Sequence, residues 1–233
     1  TRNIADPDYG AKLTGTEQSH SYGFFITNDT ETNFFVPGNT GSDLATLNRE
    51  SHSAAFKYRY DFTNDLSVGA ISTLRTADDY HNYVVGVDSK YRLDESNTLS
   101  GQILTSSTEY PTDLYQSFCY GESDSDCDKA KDIDCVFGNC QFSEQVHRTK
   151  FDKKISDQAL KATFEHNSEY WNVTAEHQNI GKKFRADLGY MPRADYQSDK
   201  VLLDRPFYGQ EDTCWQEAKI SAQWQIKHNE KGE

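Results

Sequence analysis

Ser53-Ala-Ala-Phe-Lys-Tyr-Arg-Tyr-Asp-Phe-Thr63, followed by Asn64-Asp65 and then Leu66-Ser-Val-Gly-Ala-Ile-Ser-Thr-Leu-Arg-Thr76, decides the reading of this chain. In the first arm Ala54, Phe56, Tyr58, Tyr60 and Phe62 alternate with Lys57, Arg59 and Asp61. An extended strand separates the two sets onto opposite faces. Leu66, Val68, Ala70 and Leu74 continue the apolar register in the second arm, and Thr-Asn-Asp at the junction suits a tight turn. The stretch therefore predicts a hairpin with one apolar and one charged face.

The same alternation recurs along the chain. Tyr22, Phe24 and Ile26 close a first hairpin begun at Gly10–Glu17, and Tyr83, Val85, Val87, Tyr91 and Leu93 oppose Asp88, Lys90 and Arg92. Leu99 and Ile103 fall in step on a more polar strand at 98–107. Leu160, Ala162 and Phe164 precede a tight link at 167–169, beyond which Trp171, Val173 and Ala175 alternate with polar residues. Phe184, Ala186, Leu188 and Tyr190 predict another strand, Val201-Leu-Leu203 a short one, and Ala218, Ile220, Ala222, Trp224 and Ile226 a final one. The count is about eleven, an odd number, whereas single-chain bacterial membrane barrels close with even numbers. The chain is thus expected to be a barrel or a piece of a longer one. It begins at Thr1 without Met or a signal-like apolar segment, as a processed product or excised piece would.

Composition narrows the fold class. Over 233 residues, 35% are hydrophobic and 13% aromatic, mean hydropathy is −0.84 and net charge −13. Only alternate residues of a transmembrane strand face lipid, so a membrane barrel combines low mean hydropathy with an apolar surface. A soluble antiparallel sandwich or barrel also alternates. Connection lengths separate the two: short links near 18–20, 63–65, 94–97 and 167–169 alternate with longer ones at 28–52, 77–82 and 109–157. Outer-membrane barrels sort their loops by parity in this way, and a sandwich has no reason to. The expectation is an all-β, antiparallel up-and-down transmembrane β-barrel in the bacterial outer membrane. The partners expected are membrane lipid, a glycan or small solute, and other outer-membrane proteins. No run of about 18 apolar residues marks a membrane helix. Lys and Arg are not clustered, which argues against nucleic acid.

Ile180-Gly-Lys-Lys-Phe-Arg-Ala-Asp-Leu-Gly-Tyr-Met-Pro-Arg-Ala-Asp-Tyr196 carries a more specific signal. Its Gly-aromatic-x-Pro-Arg-x-Asp-aromatic pattern resembles a family of bacterial proteins in which a family-9-like carbohydrate-binding domain precedes an outer-membrane β-barrel. Asp8–Gly15, Tyr80-His81-Asn82 and Gly86-Val87-Asp88 also fit the barrel portion. The resemblance runs from about residue 8 onward and implies the barrel alone; the family brings no catalytic residues. In the motif, Gly189 and Pro192 are expected to kink the chain at a strand end, and Arg193 with Asp195 to form a charge pair in the lumen or at its rim.

Candidate chemistry is sparse. Cys119, Cys127, Cys135 and Cys140 share one acidic loop, with Cys214 in a later loop of the same parity. An even cluster in an exported loop predicts two disulfides of open connectivity. Zinc is the competing reading, against which stand the absence of a CxxC element and of interleaved His. Asp124, Asp126 and Asp128 have the alternate spacing of Ca²⁺ ligands, but Ala130 stands near the sixth position and Cys135 at the twelfth. Beyond this possible Ca²⁺ site no cofactor is expected. No G-x-S-x-G, HExxH or glycine-rich phosphate loop is present, and Glu165 and Glu176 are two acids among many, so no catalysis is expected. Asn28-Asp-Thr30 and Asn172-Val-Thr174 match the N-glycosylation triplet. Lys57, Arg59, Asp61, Asp88, Lys90 and Arg92 are expected to face a lumen, as a salt-bridged filling or as selectivity charges. The resulting expectation is a passive channel or surface-exposed binding protein, with a secreted soluble glycan-binding module as the alternative.

Overall fold

The computed structural model describes residues 7–38, 41–111, 114, 154–209 and 214–229. They form β1 (Pro7–Glu17), β2 (His20–Asp29), β3 (Thr32–Pro37), β4 (Ser42–Leu47), β5 (Ser51–Asp61), β6 (Leu66–Ala77), β7 (Tyr80–Arg92), β8 (Asn97–Glu109), β9 (Lys154–Asn167), β10 (Asn172–Ile180), β11 (Tyr196–Tyr208) and β12 (Glu217–His228). Ten of them make one sheet in the order β1-β2-β5-β6-β7-β8-β9-β10-β11-β12, antiparallel throughout; β3 and β4 pair separately. The expected all-β antiparallel meander is present. Among the described residues β1 and β12 are its edges and no pairing joins them.

Among the described residues the strands number twelve, ten of them in the main sheet, against the eleven or so expected from the sequence. The connection at 28–52 contains β3 and β4, and the short strand at 201–203 lengthens to all of β11. No strand covers 184–190. That segment is a loop, turned by Phe184 N–H donating to the Gly181 carbonyl at 3.1 Å and Gly189 N–H to that of Ala186 at 2.9 Å.

The register carries the two-faced pattern across the sheet. Leu13 aligns with Phe24, Phe56, Ser72 and Val85, and Tyr22 with Tyr58, Ala70, Val87, Ile103 and Leu160. Tyr91, Leu99, Phe164, Ala175, Val201 and Trp224 form a third row. These rows are not buried: Val85 is 55% exposed, Val87 56%, Trp224 54% and Ile220 65%. The core lies elsewhere. One buried cluster joins Phe34 and Val36 of β3 to Tyr80, Tyr110, Leu114 and Ile155; a second joins Val84, Ala159 and Ile180 to Phe184 and Ala194. Both sit on the polar side of the sheet, beneath the β3–β4 hairpin and the 181–195 loop.

The two ends of the sheet differ. At one, links 18–19, 62–65, 93–96 and 168–171 are tight: Asp94 accepts from the Ser96 and Asn97 amides, both at 2.8 Å, and these bonds with the Asn97 side-chain amide hold its carboxyl below the usual carboxylate range. At the other end lie 30–50 and 181–195, which fold over the polar face. The β6–β7 link at that end is tighter than expected, only Asp78-Asp79.

Candidate functional site

The most developed polar constellation is where the 181–195 loop meets the sheet. Asn82 of β7 is fully buried. Its Nδ2 donates to Thr108 Oγ1 at 2.7 Å and to the Arg185 carbonyl at 3.1 Å, while its Oδ1 accepts from the Asp187 N–H at 3.1 Å. Ser106 Oγ of β8 accepts from the Arg185 N–H at 3.1 Å. Strand side chains thus supply the loop backbone with the partners that a ladder would otherwise provide.

Asp187 is the hub. Tyr80 OH donates to Oδ2 at 2.8 Å and Tyr110 OH to Oδ1 at 2.9 Å. The Tyr80 and Tyr110 rings stack at 6.0 Å and 9°, and Phe34 packs edge-on against Tyr80 at 4.8 Å. Burial pushes the Asp187 carboxyl above its ordinary value; the two hydroxyl bonds and the Arg75 and Arg185 guanidiniums pull the other way. Burial, then the Asp187 charge, pushes the Tyr110 hydroxyl well up. Arg75 and Arg185 are both fully buried. Arg75 Nη1 donates to the Asn33 carbonyl at 2.6 Å and its Nη2 lies 3.9 Å from Asp29 Oδ2. Two guanidiniums facing two carboxylates leave the buried site electrically balanced, which such burial requires.

The loop is fastened at both ends. Gly181 N–H donates to the Gln158 carbonyl at 3.0 Å, and Lys183 N–H to Asp157 Oδ2 at 2.8 Å. Any Cβ at Gly181 would stand 2.3 Å from the Asp157 carboxylate, so only glycine allows this approach. At the far end Ala194 N–H donates to the Gly38 carbonyl at 3.0 Å, and Phe35 packs on Tyr190 with ring centroids 5.5 Å apart. Asp195 takes the left-handed conformation (φ 60°) at the entry to β11.

The sequence motif therefore marks a docked loop and not a strand corner. Gly189 does turn the chain, and Pro192 is exposed. The expected Arg193–Asp195 pair is not formed: Arg193 is exposed, Asp195 is buried, and among the described residues no ion pair joins them. Nothing in the sequence alone marks Arg75, Asn82, Arg185 and Asp187 as a group, although Tyr80–Asn82 and the 180–196 motif contain three of the four.

The six charges of the central hairpin and β7 lie on the polar side. Lys57 forms an ion pair with Asp88 across β6, where Gly69 leaves room for the carboxylate; Arg59 Nε donates to Asp61 Oδ1 at 2.7 Å. Lys90 and Arg92 line a recess of about 330 Å³ with Arg59, Asp61 and Asp65 at the tight-link end. Glu165 and Glu176 share this face but oppose Thr174 and Thr163, not each other; Glu176 pairs with Lys161 at 2.7 Å. Cys119, Cys127, Cys135 and Cys140 and the candidate ligands Asp124, Asp126 and Asp128 lie outside the described residues. Cys214 is exposed with a free thiol, and it lies in the β11–β12 connection at the tight-link end, not in a loop of the same parity as the β8–β9 connection as expected. Among the described residues no group of three His, Cys, Asp or Glu side chains could hold a metal ion, and no helix is long and apolar enough to cross a membrane.

No family model matches the chain, and no curated protein does. Among solved structures, BamA from Haemophilus ducreyi lacking POTRA domains 1–3 is similar over 99% of this chain and 42% of its own, with 10% identity and a TM-score of 0.39. The chain spans less than half the length of that structure.

Proposed function

We propose that this chain forms the wall of a bacterial outer-membrane β-barrel and serves as a non-catalytic, surface-exposed binding protein. The observation that carries the reading is the apolar band. Rows of Leu, Ile, Val, Phe, Tyr and Trp run in register across ten strands on the face that, among the described residues, no element covers, whereas charged and hydrogen-bonding side chains line the face that the loops do cover. A soluble sheet buries its apolar face; one that faces lipid inverts the arrangement. The strands are also long enough: β5 to β9 have 11–14 residues, against the ~9–11 that a tilted strand needs to cross.

Between the two roles expected for such a wall, binding is favoured over passive conduction because the β3–β4 hairpin and the 181–195 loop cover the polar face at the long-loop end. The aromatic residues of the exposed band run along strands in step with aliphatic ones, which supports lipid contact over the scattered platforms of a secreted glycan-binding module. The test is partition of the native protein between detergent and aqueous phases, with heat-modifiable gel migration as the readout of a closed barrel. Detergent partition with a migration shift is the expected result. Aqueous partition of a monomer that shows no shift would refute the proposal.

A further inference from the structure

On the apolar face at the tight-link end one cation stands out. Among Lys and Arg residues on the strands, the register puts Lys12, Lys57, Arg59, Arg75, Lys90, Arg92, Lys161, Lys200, Lys219 and Lys227 on the polar side; only Lys154, at the long-loop end, and Arg205 stand on the apolar side. Arg205 shares that side with Val201, Leu203 and Phe207 of β11 and lies opposite Ile220 of β12. Its guanidinium carbon sits 5.3 Å from the Tyr170 ring centroid, 4.9 Å from that of Trp171 and 5.4 Å from that of Phe207. The β9–β10 turn holds two of these rings in place: Ser168 N–H and Oγ both donate to the Trp171 carbonyl at 2.9 Å, and Trp171 N–H donates to Ser168 Oγ at 3.1 Å.

The guanidinium spends one donor inside the fold, Nη1 to the Tyr170 carbonyl at 3.0 Å. Among the described residues no carboxylate lies within ion-pair distance of it. Among the described residues four of its five N–H groups have no partner, in the planar fork that suits a phosphate. Tyr170 is 57% exposed and Trp171 42%, as befits rings at a membrane–water boundary. A single charge fixed on an aromatic floor where the apolar band ends stands at headgroup depth.

We propose that Arg205, framed by Tyr170, Trp171 and Phe207, binds the phosphodiester of an anionic phospholipid in the leaflet at the tight-link end. The inference rests on the membrane reading above, and its test separates the two. The full chain is refolded into vesicles of mixed phosphatidylglycerol and phosphatidylcholine, with brominated acyl chains on one lipid at a time. Two single-tryptophan versions are compared, one keeping Trp171 and the other Trp224 in the middle of the band. The expected result is quenching of both, with phosphatidylglycerol favoured about fivefold at Trp171 and no preference at Trp224. Arg205→Gln should equalise the two lipids at Trp171, and Arg205→Lys, which keeps the charge and loses the fork, should retain part of the preference. Equal quenching in the parent, or a preference unchanged by Arg205→Gln, overturns the headgroup site while leaving the membrane wall standing. Loss of the preference on adding inorganic phosphate overturns the lipid source in favour of a soluble anion. Absence of quenching at Trp224 overturns the membrane reading and the site with it.

Discussion

Replacing Asn82 by alanine tests whether strand side chains hold the 181–195 loop against the sheet. The substitution removes the acceptor of the Asp187 N–H and the donor to the Arg185 carbonyl, both at 3.1 Å, in a site where Asn82 is fully buried. A buried polar group left without a partner costs about 1–3 kcal/mol, so the two backbone groups together cost about 4 kcal/mol of loop docking. At 1.36 kcal/mol per decade this is a loss of roughly 10³ in amide protection. Hydrogen exchange of the folded protein, read at the amides of Arg185 and Asp187 against those of the β6–β7 ladder, measures it. Ser106→Ala provides an internal scale, because it strands only the Arg185 N–H and should cost about 10–100-fold at the same amides. A fall of less than about tenfold in Asn82→Ala with the ladder intact would refute the claim that these bonds fasten the loop.

Other substitutions probe the same architecture. Arg75→Met leaves the Asn33 carbonyl without its donor and Asp29 and Asp187 short of a positive charge; a loss of about 3–5 kcal/mol is expected in denaturant titration of the folded protein. Asp195→Val places a β-branched residue at φ 60° and should cost about 1–2 kcal/mol through the backbone, whereas Asp195→Asn should keep the conformation; their melting temperatures separate the two. Because burial raises the Asp187 carboxyl in the folded protein, ionising it costs more in the docked state than in the undocked one. The stability of the docked state relative to Asp187→Asn should therefore be highest at low pH and fall as pH rises through the folded-state value; a profile rising with pH would reverse the assignment. Lys57→Ala should change stability by less than about 1 kcal/mol, since its side chain is 44% exposed and water screens the pair with Asp88.

The strands whose two faces meet different surroundings were legible in the sequence, and those that do not obey that rule were not. β5 to β8 alternate cleanly because one side is covered by polar partners or loops and the other is left apolar and exposed. Thr32-Asn-Phe-Phe-Val-Pro37 has neighbours on both sides, Phe34 and Val36 in a core cluster and Phe35 against Tyr190, so its sequence does not alternate and carries no strand signal. In β11 only the centre carries a strand signal, because Asp199 and Arg205 interrupt the apolar side and Leu202 sits on the polar one. Phe184, Ala186, Leu188 and Tyr190 produced the opposite error. Their spacing mimics a strand, but the alternation arises in a coil where Phe184 and Leu188 are buried beneath the loop and Tyr190 turns outward. The buried charges were invisible for a related reason. A charge on a strand reads as solvated unless its partner is known, and the partners of Arg75 lie at Asp29 and Asn33, across a connection read as unstructured.

The bonds that close over Asp187 reach far along the chain: 107 residues separate it from Tyr80 and 77 from Tyr110. Most of the sheet, by contrast, pairs each strand with its immediate successor, at little loop-closure cost. Folding thus has a built-in chronology. Hairpins can zip one onto the next as soon as each is made, while the tyrosine–aspartate clasp must wait until β7, β8 and the segment beyond β10 all exist. In the order of events the clasp comes near the end, and a chain stopped before residue 181 would carry half-made walls with nothing to latch them.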